Sequence, residues 1–479
     1  MKRTKIVATI GPSCDSVLML NKIIKSGVNV ARINFSHGTH ASNYRAIENI
    51  RAVAKKNKVA IGIIQDLQGP RIRVGEIDPE GFDLVKNEIV YLVSINNLKK
   101  NLSVPAKHRL IPVDLPNLEK ALKKDSRVLM HDGLVELRVI NIKDVLIEAK
   151  IIKAGVIFSH KGVNIPDVDL GMPVITKKDI EDLKFGIKIG VDYVALSFVS
   201  SAKDLQDLRK LINRFKPKNN VQIMAKIERE VAVNNIKGII KESDAIMVAR
   251  GDLGVEMREA RVPLVQKEII RLCLEEGKPV LVATQMLDSM IKSPQPTRAE
   301  VSDVANAVID HADAVMLSGE TAFGKYPVEA VKMMEEIILE TEKSIYDDMP
   351  KNYFKEKHLS LDKAVSESAF ALVKELSAKA IVVATDSGYT ARMIARHRPE
   401  TRIVVLVNKP EVQRQLSLVW GVYPEMIGVS RSLDELMVAS TKLVQQKKLV
   451  KKGDSIIVVT GQPVGRSKNM NLVKIQTIS

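Results

Sequence analysis

Between Val221 and Glu256 the chain reads VQIMAKIEREVAVNNIKGIIKESDAIMVARGDLGVE. Two apolar runs inside it, VQIMAKI and AIMVARG, end abruptly in charge. Lys226 and Glu228 close the first, Arg250 and Asp252 the second. A helix-length segment separates them, so the stretch is one β-α-β unit with its polar groups gathered where the strands finish. Ligands bind at that end of parallel α/β folds. An ammonium, two carboxylates and a guanidinium in one place are the groups that hold a metal ion against an anionic substrate. Glu228 and Asp252 supply hard oxygen ligands, too few to enclose an ion alone. Mg²⁺ keeps several positions for water and substrate, so it suits such a pair better than Ca²⁺ or Zn²⁺. A plain pairing of the two carboxylates with Lys226 and Arg250 fits the same spacing. In ARGDLGVE, Gly251 and Gly254 let the backbone approach closely, and free N–H groups at the start of a helix turn would hold a carboxylate or phosphate.

The same change from apolar to polar recurs at other strand ends. Arg32, Asn34, Ser36 and His37 follow one run, Asp66 ends another, Thr284 a third, and Ser318 with Glu320 a fourth. Any of these alone suits a solvated loop. Together their types suit phosphate and metal. The chain has no GxxxxGK[ST] and no GxGxxG, so a nucleotide would not sit in a Walker or Rossmann cradle. His37 suits a structural hydrogen bond or a phosphate contact better than general-base work. Cys14, Cys273, Met286 and Met290 read as packing residues.

Eight apolar runs carry these ends: 4–11, 28–36, 59–67, 191–199, 221–228, 244–251, 278–286 and 312–320. Their start-to-start spacing is mostly 24 to 34 residues, with an outlier of 132 between the third and fourth. Removing an insert of roughly a hundred residues restores the period, and eight β/α units in series predict a (β/α)₈ barrel. The insert, 70–169, has shorter strand patterns (EIVYLVSI, RVLMHDGLVELRVI, DVLIEAKIIKAG), turn residues such as Asp132-Gly133, and a helix-like LPNLEKALKKD. It reads as a mainly β domain. The barrel domain is then 1–69 with 170–341. A charged linker, 342–360, precedes a small α/β domain that fills the rest of 342–479, with helices at 361–377, 389–397 and 432–447.

With 479 residues, 45% hydrophobic and 27% charged, the composition is that of a globular protein of about three domains. MKRTKIVATIGPS runs straight into a strand pattern, so no signal peptide is expected, and no run of about 18 uncharged apolar residues marks a membrane span. Two cysteines fit a reducing cytoplasm. The net charge of +16 comes with only 4% aromatics and no basic-aromatic motif. That points away from nucleic acid and toward a lysine-rich surface, or steering of small phosphorylated anions.

MVARGDLGVE, ATQMLDSMI, PTRAEVSDVANAV and DAVMLSGETAFGKYPVEAV, with ATIGPSC and RINFSHG earlier, resemble the pyruvate kinase family. The likeness runs through the barrel, the insert (GVNIP near its exit) and the C-terminal domain. The resemblance implies phosphoryl transfer from phosphoenolpyruvate to ADP, giving pyruvate and ATP, with Mg²⁺ or Mn²⁺. By motif, Lys226 would stabilise the enolate and the migrating phosphoryl group, and Glu228 and Asp252 would bind the divalent ion. Gly251, Asp252 and Thr284 would hold the substrate carboxylate. Arg32 and Arg73 would neutralise phosphate charge, Lys161 would reach the nucleotide beside His37 and Asn34, and Thr284 or Ser318 would relay the proton. The insert, following the third strand at the rim, would act as a lid. A barrel lyase or aldolase working through a pyruvate enolate would use the same lysine and carboxylates without a lid or ADP. A phosphometabolite-binding regulator that had lost catalysis is a further alternative, and the retained Lys226, Glu228 and Asp252 argue against it.

QDLQGPRIRVG departs from the potassium-dependent members of that family, which have Thr, Lys and Glu where this chain has Leu67, Gln68 and Arg71. Asn34, Ser36 and Asp66 stay as candidate potassium ligands. The Arg71 guanidinium is expected to replace the monovalent cation, so potassium is not expected to be required. TDSGYTAR resembles the family's effector-phosphate loop, with Thr385, Ser387, Gly388 and Thr390 offering hydroxyls and amides; a simple capped turn fits equally. TGQPVGRSKNMN lacks the Trp and Gly-rich pattern of fructose-bisphosphate-regulated members. PTRAEVSDVANAV resembles the family's interface helix, which implies a homotetramer.

Overall fold

In the computed structural model the eight runs form eight parallel strands closed into a barrel. They are β1 Lys5–Thr9, β2 Val28–Asn34, β3 Gly62–Asp66, β4 Tyr193–Leu196, β5 Gln222–Ile227, β6 Ala245–Ala249, β7 Val280–Ala283 and β8 Ala314–Leu317. Each pairs with its neighbour in sequence, and β8 closes on β1 in the register Lys5↔Ala314 to Ala8↔Leu317. The structure describes residues 2–479 except 101, 106, 132, 167–171, 351–352, 355–359, 431 and 463–469. Asp132 of the expected turn, the exit of the insert, most of the second half of the linker and the centre of TGQPVGRSKNMN therefore lie outside the described residues.

Near-continuous apolar strands are needed because both faces are buried. Successive side chains point to opposite sides. Val7, Val30, Ile64, Met224, Met247, Leu281 and Met316 fill the barrel interior. Their neighbours Ile6, Ala31, Ile63, Ile223, Ile246 and Val315 pack outward against the helices. Cys14, Cys273, Met286 and Met290 are all fully buried in that outer layer. The strands are shorter than the apolar runs because the polar residues that end each run leave the ladder at the rim. Helix starts are fixed by capping boxes, in which the Thr39, Thr176 and Thr297 hydroxyls accept from the amides of Ser42, Asp179 and Glu300.

The insert is a seven-stranded, largely antiparallel sheet with its own hydrophobic cluster. Ile72–Arg73 pairs with Gly162–Asn164, so the chain enters and leaves the insert through adjacent strands just beyond β3. The patch 115–125 is helical only over Leu118–Ala121: Asn117 sits at φ 53° before it and Leu122 is extended after it. The short strands Phe82–Leu84, Arg109–Val113, Gly155–Ile157 and Gly162–Asn164 were too brief to show in the sequence pattern.

The C-terminal segment forms a five-stranded sheet in the order Val422–Met426, Ile403–Val407, Ala380–Ala384, Ser455–Thr460, Leu472–Thr477, the last strand antiparallel. Its helices run Leu361–Glu375, Tyr389–Ala395 and Leu433–Gln446, close to expectation, with an additional Pro410–Gln415. Residues 416–420 press against the barrel's N-terminal end. Leu418 belongs to the interior layer of the barrel itself. Arg414 and Arg51 both bind Asp192, at 2.8 Å each, and the Tyr193 hydroxyl donates to Gln415 O at 2.9 Å. Among the described residues no helix is long and apolar enough to cross a membrane.

Candidate active site

A cavity of about 960 Å³ lies between the C-terminal rim of the barrel and the insert. Arg32, Asn34 and Ser36 line it from the end of β2, Lys226 and Glu228 from the end of β5, and Asp252 from the short helix Arg250–Glu256 that follows β6. Arg73 and Lys161 reach it from the insert's two connecting strands. Arg32 and Asp252, far apart in the sequence, therefore share one chamber because every strand end faces the same rim.

Lys226 is the centre of the charge pattern. It is 9% exposed, and its Nζ lies 2.7 Å from Glu228 Oε1, 2.7 Å from Ser197 Oγ and 3.3 Å from Asp66 Oδ1. Burial works against its charge, but Asp66 first and then Glu228 outweigh that and raise its pKa, so the ammonium stays charged. The reverse holds for Asp66. Burial disfavours the carboxylate, yet Lys226 and Arg32 hold its pKa below the ordinary value. Arg32 grips Asp66 Oδ2 through Nε at 2.7 Å and donates through Nη1 to Thr9 Oγ1 at 3.1 Å. Glu228 is oriented from the other side by the Phe198 amide, which donates to Oε2 at 2.7 Å from a backbone at φ 57°.

Glu228 and Asp252 both face the cavity, and among the described residues no group of three or more His, Cys, Asp or Glu is gathered as a metal cage. An open site of two hard carboxylates, completed by substrate oxygens and water, fits Mg²⁺ and does not fit an enclosed structural ion. When bound, such an ion supplies positive charge to phosphate and enolate oxygens.

The Arg250 guanidinium does not join the cluster that the sequence suggested. It binds Asp303 at 2.7 Å and Thr284 O at 2.9 Å, buttressing the turn after β7. Of the plain ion pairing envisaged for this stretch, the Lys226–Glu228 pair is formed, at 2.7 Å. The Gly251 amide donates to Thr284 Oγ1 at 2.8 Å, so that N–H is engaged, and Thr284 itself sits at φ 66°. Ser318 lies at the end of β8 with its amide held by Glu320 Oε2 at 2.7 Å. Its buried hydroxyl has no hydrogen-bond partner among the described residues. Neither Thr284 nor Ser318 lines the cavity as described.

Asn34 Oδ1 accepts from the Ser36 amide at 3.1 Å, and Ser36 Oγ accepts from Arg71 Nη2 at 3.2 Å. His37 titrates below its ordinary value through burial and then the Arg71, Arg32 and Arg73 charges. In the C-terminal domain the Gly388 amide donates to Thr385 Oγ1 at 3.1 Å, and Arg392 donates to Ser387 O at 3.3 Å. Thr390 is buried in the helix that follows. The helix Tyr389–Ala395 starts after Gly388, which sits at φ 77° and makes no side-chain hydrogen bond to the helix start. Sequence reasoning missed Ser197, Phe198 and Thr9. All three sit at or just past strand ends, so the polarity switch that exposed Asp66 marked Thr9 and Ser197 too.

A lidded (β/α)₈ barrel with a charged lysine, two metal-type carboxylates and converging guanidinium groups defines an enzyme that acts on a small phosphorylated anion. Comparison with known proteins narrows this. The family model "Pyruvate kinase, barrel domain" matches residues 1–331, and "Pyruvate kinase, alpha/beta domain" matches 363–476. A pyruvate kinase of Sporosarcina psychrophila is 43% identical over 482 residues, covering 100% of this chain and 81% of that protein. That of Geobacillus stearothermophilus is 41% identical with the same coverage. A crystal structure of a pyruvate kinase from Cryptosporidium parvum superposes with a TM-score of 0.89 at 34% identity, covering 100% of this chain and 96% of the other. The chain belongs to the pyruvate kinase family, and it is a phosphotransferase.

Proposed function

We propose that this protein moves the phosphoryl group of phosphoenolpyruvate to ADP at the rim cavity, with Lys226 as the principal catalytic group. The P–O bond to the enolate oxygen breaks, and a bond to a terminal β-phosphate oxygen of ADP forms. The enolate then takes a proton at its methylene carbon to become pyruvate. No protein nucleophile is needed, because phosphoryl transfer depends on positioning and charge stabilisation. The observation that carries the reading is the Lys226 ammonium, held by Glu228, Asp66 and Ser197 in one chamber with Asp252, Arg32, Arg73 and Lys161. One unit charge about 4 Å from the migrating group contributes roughly 4 kcal/mol at an effective dielectric near 20, about a thousandfold in rate.

In this reading Glu228 and Asp252 hold Mg²⁺ or Mn²⁺, and Gly251, Asp252 and Thr284 receive the substrate carboxylate, which must displace the Thr284 hydroxyl from the Gly251 amide. Arg32 and Arg73 bind phosphate oxygens, and Lys161, His37 and Asn34 attend the nucleotide. Thr284 or Ser318 delivers the proton, the orphaned Ser318 hydroxyl being free to turn. Arg71 takes the place of a monovalent cation, since its guanidinium already contacts Ser36, one of the oxygens potassium would use. Asn34, Ser36 and Asp66 then need no K⁺. The Thr385–Thr390 loop remains a candidate effector-phosphate site.

The division into a barrel domain (1–69 and 170–341), a lid (70–169) and a C-terminal domain (342–479) belongs to the same proposal. The separate hydrophobic clusters of barrel, lid and C-terminal sheet support it. A cytoplasmic homotetramer completes it. Omission assays test the reaction: pyruvate should form only when phosphoenolpyruvate, ADP and Mg²⁺ are all present. Pyruvate formed without ADP would overturn the assignment in favour of a lyase or phosphatase.

A further inference from the structure

The chain leaves β3 for the lid through residues 67–71, and two residues just past β4 touch that root, the Lys226 ammonium and Glu228 at once. They are Ser197 and Phe198. The Ser197 hydroxyl has one proton and donates it to Leu67 O at 2.8 Å. Only its lone pairs are left for Lys226 Nζ, which donates to them at 2.7 Å. The next amide, that of Phe198, donates to Glu228 Oε2 at 2.7 Å. One peptide therefore stands between the start of the lid and two groups at the centre of the cavity.

Phe198 aims its amide from φ 57°, a conformation that side chains rarely adopt and that persists where the surroundings dictate it. The neighbour that dictates it is the root of the lid. Gly69 is buried at φ 68°, and a β-carbon on it would lie 2.8 Å from Phe198 Cδ2 and 3.1 Å from Ser197 Cβ. On its other side the Gly69 amide donates to Asp179 Oδ1 at 3.2 Å. Asp179 is fixed in turn, because its Oδ2 accepts from the Thr176 amide at 2.9 Å and the Thr176 hydroxyl at 2.6 Å. Gly69 is thus held between a capped helix start and the Phe198 ring, and it cannot draw back without losing its hydrogen bond.

We propose that Ser197 and Phe198 are positioning residues that tie Lys226 and Glu228 to the root of the lid, so that displacing 67–71 moves the ammonium and the carboxylate together. The tie to Glu228 rests on the reading of that residue as a ligand of the divalent ion. Groups that orient a metal ligand change metal affinity without touching the metal. Gly69 makes the case testable because it does not line the cavity. A methyl group there pushes on the Phe198 ring and on Ser197 Cβ together, which shifts the peptide between them and turns its N–H away from Glu228.

Mn²⁺ binding to the substrate-free enzyme, followed by the electron spin resonance of the unbound ion, tests this. Gly69→Ala should weaken binding by about tenfold. Phe198→Ala keeps the constraint of a β-carbon but removes the ring, and should weaken it by about threefold. In the Phe198→Ala background, Gly69→Ala should add a factor of about two at most, because the ring that transmits the push is gone. The proposal is overturned if Gly69→Ala leaves Mn²⁺ affinity unchanged, or if it costs the same factor in both backgrounds. Should Gly69→Ala fail to fold, Phe198→Ala decides alone, and unchanged affinity in it overturns the proposal. Glu228→Gln separates this from the metal assignment. Mn²⁺ binding that survives Glu228→Gln removes Glu228 from the metal, and the tie falls with it. Binding lost in Glu228→Gln but normal in Gly69→Ala overturns the tie to the lid alone.

Discussion

Lys226 keeps its charge in a nearly dry site because two carboxylates and a hydroxyl surround it, and that arrangement also makes it sensitive to each partner. Asp66→Asn removes the carboxylate that both Arg32 and Lys226 use. Its expected cost is a fall in kcat of about a hundredfold or more, while the fold melts near its normal temperature. A steady-state assay beside a thermal melt checks both halves. Arg71 makes the second residue-scale prediction. Activity should be equal in sodium, tetramethylammonium and potassium buffers, and Arg71→Glu should lose activity in sodium and regain part of it in potassium. Large potassium stimulation of the unaltered enzyme would contradict the role given to Arg71. At this scale the sequence showed much of the site, because a buried strand ending in Lys, Glu, Asp or Arg announces itself. It did not show that Arg250 turns to Asp303, nor that Ser197 holds Lys226. Those partners are 53 and 29 positions away, and only closure of the barrel brings them together.

Among the elements, the segment 416–420 has the least visible role in sequence. LSLVW reads as one more apolar run, yet Leu418 completes the interior layer of a barrel built from residues 5–317. Trp420 is 1% exposed beside it, and its amide donates to Asp313 Oδ1 at 3.0 Å. Leu418→Ala should leave a cavity at the barrel floor and destabilise by about 2–5 kcal/mol. In denaturant melts, barrel and C-terminal signals should shift together; a shift confined to the C-terminal domain would contradict the interlock. Val422–Met426 escaped sequence reading for a related reason. VYPEM carries a proline and a glutamate, which suit a strand at a sheet edge, where one side makes no ladder. The β/α period was legible because the eight barrel strands each have two buried faces. The insert's strands alternate or are very short, so only its longer ones stood out.

For the molecule as a whole, pH acts through buried groups away from the rim. His397 is 6% exposed, bonded to Ser366 Oγ at 3.0 Å and stacked on Phe370. Burial, then Arg396, pushes its pKa down from 6.5 to about 3. A depressed histidine binds its proton only on unfolding, so the stability it contributes is present above about pH 6.5 and is lost as pH falls toward 3. At pH 5 the loss is about 2 kcal/mol. Relative to the unaltered protein, His397→Gln should therefore gain about 2 kcal/mol between pH 7 and pH 5 in equilibrium unfolding. An unchanged difference would show that His397 is already charged in the folded state.

The claim on which the rest depends is that the Lys226 ammonium stabilises the phosphoryl group in flight. Lys226→Met keeps the length of the side chain and removes its charge, so the kinetics of this variant with saturating phosphoenolpyruvate, ADP and Mg²⁺ test it most directly. The structure predicts a fall in kcat of about a thousandfold or more, with the KM for phosphoenolpyruvate changed only a few-fold. Turnover within about tenfold of normal would contradict it.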